Sequence, residues 1–193
     1  MELALEKDFT KRNRIHPYKF ALWVGCSTLT MMFAALTSAY IVRQAGGNWL
    51  EFALPDVFKY STIAIVLSSL TLHGSFISFK KGNEMLYKVL LLATFALGML
   101  FFSFQYEGWQ ALASAGIPFT LHPAGDFVYV ISWVHAAHVI GGVAILVVAM
   151  IHAFGLKYKV TEKRKLRFSL SLTYWHFVDL LWVYLFLFLT LYR

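Results

Sequence analysis

Tyr174-Trp175-His176-Phe177-Val178-Asp179-Leu180-Leu181-Trp182 lies inside a 25-residue apolar run, Phe168–Tyr192, whose only charged side chain is Asp179. Residues three apart share a helix face, so His176 and Asp179 point roughly the same way from a segment long enough to cross a bilayer. An ionisable group at the bilayer centre costs at least ~2.5 kcal/mol on insertion scales. The pair therefore requires a receiving environment built of protein, and the stretch predicts a membrane helix that packs against other helices.

The rest of the chain agrees. Of its 193 residues 59% are hydrophobic and 14% charged, with mean hydropathy +0.63, whereas soluble domains average about 25% charged residues. Phe20–Val42, Tyr60–Phe79, Val89–Tyr106 and Phe127–Leu156 contain no Asp, Glu, Lys or Arg. With Phe168–Tyr192 they predict an all-α, polytopic membrane protein: a bundle of five transmembrane helices over about 18–44, 58–80, 85–107, 126–156 and 167–192. The connections between them are too short for another domain, so residues 1–193 read as a single integral membrane domain.

Cytoplasmic segments accumulate Lys and Arg. With the N-terminus inside, 14 of the 17 basic residues fall on inner segments, and only Arg43, Lys59 and Arg193 do not. This predicts the N-terminus inside and the C-terminus outside, and makes the net charge of +7 a topology signal that needs no nucleic-acid partner. A multi-pass protein of the bacterial plasma membrane is expected. The lone cysteine, Cys26, excludes an intrachain disulfide. The first apolar run exceeds a signal-peptide core, and acids and bases mix before it, so no cleavable signal is expected.

Breaker clusters separate the spans: Gly46-Gly47-Asn48 with Pro55, Gly82-Asn83, and Gly116, Pro118 and His122-Pro123 within an outer loop from about Glu107 to Asp126. The pairs Ala34/Ser38, Ala35/Ala39 and Ala137/Gly141, each four apart, match the small-residue pattern of helix contacts within membranes. Trp23, Trp49, Trp109 and Tyr106 fall near span ends, as interfacial anchors do.

Three readings are open for the buried histidines. His138 and His152 stand 14 apart on one helix, as paired haem ligands do, but a second helix with that spacing is missing. His138 and Asp179 each lie 11 residues into their spans, both near mid-membrane, as in a proton path. The third reading is a satisfied polar cluster that fixes helix packing. Gln105 and Glu107, at the outer end of the third span, suit a headgroup, a partner's backbone or solvent. No phosphate loop, nucleophile elbow, Cys-x-x-Cys or zinc motif is present.

The 174–182 stretch resembles the C-terminal helix signature of subunit III of haem-copper respiratory oxidases, the cytochrome c oxidase and quinol oxidase type. Ser132-Trp133-Val134-His135-Ala136-Ala137-His138-Val139-Ile140-Gly141-Gly142 is similar to that family's paired-histidine helix. Met31-Met32-Phe33-Ala34-Ala35-Leu36-Thr37-Ser38-Ala39-Tyr40 resembles its early span, and Ser68-Ser69-Leu70-Thr71 and Gln105 match the helices between. The likeness covers all five spans and points to the short, five-helix form.

The resemblance implies an accessory subunit of a proton-pumping terminal oxidase, one that packs on subunit I, neighbours subunit II and others, and holds structural phospholipid. Haems and copper would belong to partner subunits, with no cofactor, metal or catalytic residue in this chain. Membership of a larger respiratory supercomplex is compatible with it. The complex is expected to be of the cytochrome c oxidase type, with a quinol oxidase or a nitric oxide reductase accessory chain as alternatives inside the family; the electron donor binds elsewhere in the complex and is not read from this chain. A stand-alone b-type haem protein or a proton-coupled transporter is the alternative outside it. His135, His138, His176 and Asp179 are expected to form one buried polar network ordering the last two helices, with Gln105 and Glu107 at a lipid or subunit contact. Leu29 and Lys81 stand at two positions often acidic in the family, so a proton-antenna role resting on those carboxylates does not transfer.

Overall fold

Five helices follow one another in the computed structural model, which describes residues 16–192: α1 (Pro17–Ala45), α2 (Val57–Lys80), α3 (Glu84–Ser114), α4 (Pro123–Gly155) and α5 (Glu162–Leu191). Even the shortest, with 24 residues, reaches about 36 Å at ~1.5 Å per residue, more than the ~30 Å hydrocarbon layer. All five are long and apolar enough to cross a membrane, and no strand occurs among the described residues.

Local chemistry sets the ends. His16 caps α1 by accepting from the Tyr18 amide at 3.3 Å, with Pro17 in the first turn. Asn83 caps α3 through the Leu86 amide, and Thr161 caps α5 through that of Arg164. α2 stops at Gly82, φ +82°, where the Asn83 amide reaches back to the Ser78 carbonyl. That left-handed glycine closes a two-helix hairpin.

The helix bounds differ from expectation at three places. α3 continues past 107 to Ser114, because Glu107 and Gly108 do not break it. The stop is Gly116, φ +83°, where the Ile117 amide bonds the Leu112 carbonyl. α4 begins at Pro123, whose missing N–H suits a first turn, and the Thr161 cap starts α5 at Glu162.

α2, α3, α4 and α5 pack in sequence, and α5 returns to α2, closing a ring of four. Among the described residues α1 meets only α4 and α5. Its fully buried side chains are Phe33, Thr37 and Tyr40, and the Tyr40 hydroxyl donates to the Tyr192 carbonyl at 2.8 Å. Thus α1 lies outside the ring, against its members α4 and α5.

The small-residue pairs noted above do not seat a helix of this chain: Ala34, Ala35, Ser38, Ala39, Ala137 and Gly141 are all exposed. Close approach occurs instead at Gly98, Gly108 and Gly142, each facing a large ring. Two expected interfacial anchors also turn inward: Trp49 packs on Tyr40, and Trp109 donates to the Ser132 hydroxyl at 2.9 Å. Trp23 and Tyr106 are exposed.

Candidate functional site

The inward stripe of α5 runs Phe168, Leu172, Trp175, Asp179, Trp182, Leu185 and Leu189, all buried. Its spacing of three and four residues keeps one face on the ring axis. Two indoles define layers along it. The Trp175 N–H donates to the Ser68 hydroxyl of α2 at 2.9 Å, while its ring fills the space left by Gly98 of α3 and Gly142 of α4. One level further along, the Trp182 N–H donates to Thr62 at 3.0 Å, and its ring packs with His135 at 5.0 Å and Phe101 at 5.5 Å.

His135 is fully buried in that second layer, edge-on to Phe33 and Phe101. Neither of its ring nitrogens has a hydrogen-bond partner among the described residues. His138 is half-buried and turned toward α1, its ring 6.0 Å from that of Phe33. Its Nδ1–H donates to the Val134 carbonyl at 2.7 Å, and its own carbonyl accepts from Tyr174 at 3.0 Å.

His176 faces α2 rather than α4. Its Nδ1 is hydrogen-bonded to the Ser69 hydroxyl and its Nε2 lies 3.4 Å from His73 Nδ1. Asp179 is 4% exposed and stands beside Ser69, yet neither carboxyl oxygen completes a hydrogen bond among the described residues.

The four groups therefore do not hydrogen-bond to one another, contrary to the single network expected between the last two helices. One reason is azimuth. At ~100° per residue His135 and His138 diverge by about 60° on α4, which sends one into the ring and the other to α1. On α5, His176 lies at the edge of the stripe, where α2 is the neighbour. No direct His138–Asp179 bond forms.

Gln105 and Glu107 are also separated. Gln105 is fully buried and donates to the Ser61 hydroxyl at 3.2 Å, whereas Glu107 is exposed. Two positions along a helix turn a side chain by about 200°. Among the described residues no three His, Cys, Asp or Glu side chains converge as a metal site would require.

Ser68 of α2, noted above only for its likeness to the family, is one of three serines that join this helix to its neighbours. Ser61, Ser68 and Ser75 recur every seven residues and are all fully buried. Each joins another helix: Ser61 accepts from Gln105, Ser68 accepts from Trp175, and Ser75 donates to the Tyr87 carbonyl at 2.9 Å. Thr71 and Thr94 add a fourth link, at 2.9 Å. Small hydroxyl side chains admit a close neighbour and bond to it, which is how membrane helices adhere without a hydrophobic drive. The seven-residue period was the available signal.

Comparison with known proteins bears on this arrangement. Proteins named "Probable quinol oxidase subunit 3" match at low identity: 25% in Staphylococcus saprophyticus, 24% in Staphylococcus epidermidis and 26% in Staphylococcus aureus. Each match covers 87% of this chain and 85% of the relative. The model of the family described as "Cytochrome c oxidase subunit III" matches residues 46–193, a stretch that contains all four helices of the ring. The chain thus belongs to the cytochrome c oxidase subunit III family, the third subunit of haem-copper oxidases.

Proposed function

We propose that this chain is the non-redox scaffold subunit of a proton-pumping terminal oxidase in a bacterial plasma membrane, N-terminus inside and C-terminus outside. It holds the haem-copper subunit in its active form through turnover and retains phospholipid, while haems and copper reside in the partner subunits. The observation that carries the reading is the use of the α5 stripe. Its indoles donate to Ser68 and Thr62 of α2 and so bond helix to helix, as expected of a rigid support.

For the electron donor, the names of the Staphylococcus relatives favour a quinol, the alternative to the cytochrome c oxidase type that the resemblance implies. The test is purification from native membrane through a tag on this chain. Co-migration with a haem-copper subunit, and oxygen uptake driven by a quinol but not by reduced cytochrome c, is the expected result. A haem spectrum from the isolated chain would refute the scaffold reading, and uptake driven by cytochrome c alone would reverse the donor.

A further inference from the structure

The seam between α2 and α5, which α1 does not meet on its α2 side, carries four polar side chains in a row. His73 is exposed, and its Nδ1 lies 3.4 Å from Nε2 of the half-buried His176. His176 Nδ1 is in turn hydrogen-bonded to the Ser69 hydroxyl, and beside Ser69 stands Asp179, 4% exposed. The row thus leads from the edge of the bundle to a carboxyl inside it. Asp179 has no ion pair among the described residues, where the pairs are Lys59–Asp56, Lys88–Glu84 and Lys165–Glu162. His135 and His138 belong to other surroundings, the first without a hydrogen-bond partner among the described residues and the second bonded to the Val134 carbonyl.

Proton accounting gives the row a direction. A neutral imidazole donates through one nitrogen and accepts through the other, and a serine hydroxyl has a single proton to give. With a neutral His176, two arrangements use every contact. In the first, His73 Nδ1–H donates to His176 Nε2, His176 Nδ1–H to Ser69, and Ser69 to an Asp179 carboxylate. In the second every bond is reversed: an Asp179 acid donates to Ser69, Ser69 to His176 Nδ1, and His176 Nε2–H to His73 Nδ1. A proton taken up at the bare Nε2 of His73 converts the first into the second. The Nδ1 proton of His73 passes to His176 Nε2, that of His176 Nδ1 to Ser69, and that of Ser69 to Asp179. One proton enters at the exposed imidazole, one O–H bond forms on the buried carboxyl, and the groups between end neutral.

We infer that His73, His176 and Ser69 form a proton wire that loads and unloads the buried carboxyl of Asp179 from the edge of the bundle. Rows of imidazole and carboxyl groups within membrane spans serve as proton relays. Without the wire, a carboxyl enclosed by packing exchanges its proton only when the structure opens locally. The wire needs only the packing of α2 on α5, and so stands apart from the choice of electron donor.

The test follows the carboxylic C=O stretch of Asp179 by infrared spectroscopy in the intact complex, switched rapidly from H2O to D2O in mildly acidic buffer. Loss of the band in Asp179→Asn assigns it. In wild type the band should shift well before the core amides exchange. His73→Gln keeps a hydrogen-bonding group but relays no proton. It should slow the shift about a hundredfold, the low end of what a positioned proton-transfer group contributes. His73→Ala should be slowed as much and recover when imidazole is added to the buffer, a rescue that a purely structural role does not give. His138→Gln, off the seam, should exchange as wild type does. Absence of an Asp179 acid band, a wild-type shift as slow as the core amides, full speed in His73→Gln, or no recovery with imidazole would overturn the wire. The imidazole comparison is made within one preparation, so it decides even where a variant assembles poorly. Co-purification of the haem-copper subunit is scored separately, and its loss bears on the scaffold reading alone.

Discussion

Trp175→Ala separates the two forces that hold the ring at its first indole layer. The change deletes a ring that contacts α3 and α4 and a hydrogen bond to α2. Truncating a buried aromatic typically costs about 3–5 kcal/mol, most of it transfer and cavity terms. The site collapses poorly, because the facing positions are Gly98 and Gly142, which have no side chains to move inward. The hydrogen bond contributes less, about 0.6 kcal/mol on average and at most about 1.7 kcal/mol between membrane helices. Ser68 would not be orphaned either, since its hydroxyl also donates to the Ile65 carbonyl at 2.7 Å. Packing should therefore dominate by about twofold or more. The measurement is the SDS mole fraction at which the ring unfolds in the purified complex, for Trp175→Ala, Ser68→Ala and the double variant. Trp175→Ala should lose about 3–5 kcal/mol and Ser68→Ala about 1 kcal/mol. Gly142→Leu should recover part of the Trp175→Ala deficit by refilling the space. Equal losses in the two single variants would refute the reasoning, as would a Trp175→Ala deficit near zero.

Three further outcomes are expected. Gly108→Ala would place a methyl 2.9 Å from the Phe58 ring, an overpacking worth about 1–3 kcal/mol; SDS titration should show the loss, and Phe58→Leu should relieve it. Asp179→Ala should weaken assembly or shorten the active lifetime of the oxidase without altering the haem spectrum, as read by turnover-dependent inactivation; intact assembly with an unchanged lifetime would count against the scaffold role. Asp126 accepts from the Thr120 amide at 2.6 Å and steadies a β-branched residue at φ +75°. Asp126→Ala should therefore raise hydrogen exchange at Thr120 about tenfold, equivalent to ~1.5 kcal/mol for a bond to a charged group.

The five spans were legible because hydrocarbon excludes charge, and a charge-free run needs no knowledge of its neighbours. Asp179 and His135 were likewise legible as buried, since both lie deep in apolar runs. Their partners were not. Whether His176 meets α2 or α4 depends on helix rotation within the ring, which no local pattern in α5 encodes. The end of α3 lies beyond the expected position because the charge-free run stops at Tyr106, whereas the feature that stops the helix is the left-handed backbone at Gly116. The small-residue pairs expected to make helix contacts, Ala34/Ser38, Ala35/Ala39 and Ala137/Gly141, are exposed. The glycines and serines that make the contacts were in view, but their meaning came from the rings opposite them.

The peripheral place of α1 bears on how the protein is made. Its contacts are with α4 and α5, which emerge well after it, and about 117 residues separate Ala45 from Glu162. At ~5–20 residues per second of synthesis, α1 waits roughly 6–23 s in lipid before the helix it shares most contacts with exists. It is equipped for the wait: Ser27, Thr28 and Thr30 each direct their hydroxyls to carbonyls of their own helix, at 2.8–2.9 Å. These hydroxyls of α1 are thus satisfied before α4 and α5 follow it into the bilayer, and those later helices give it a place.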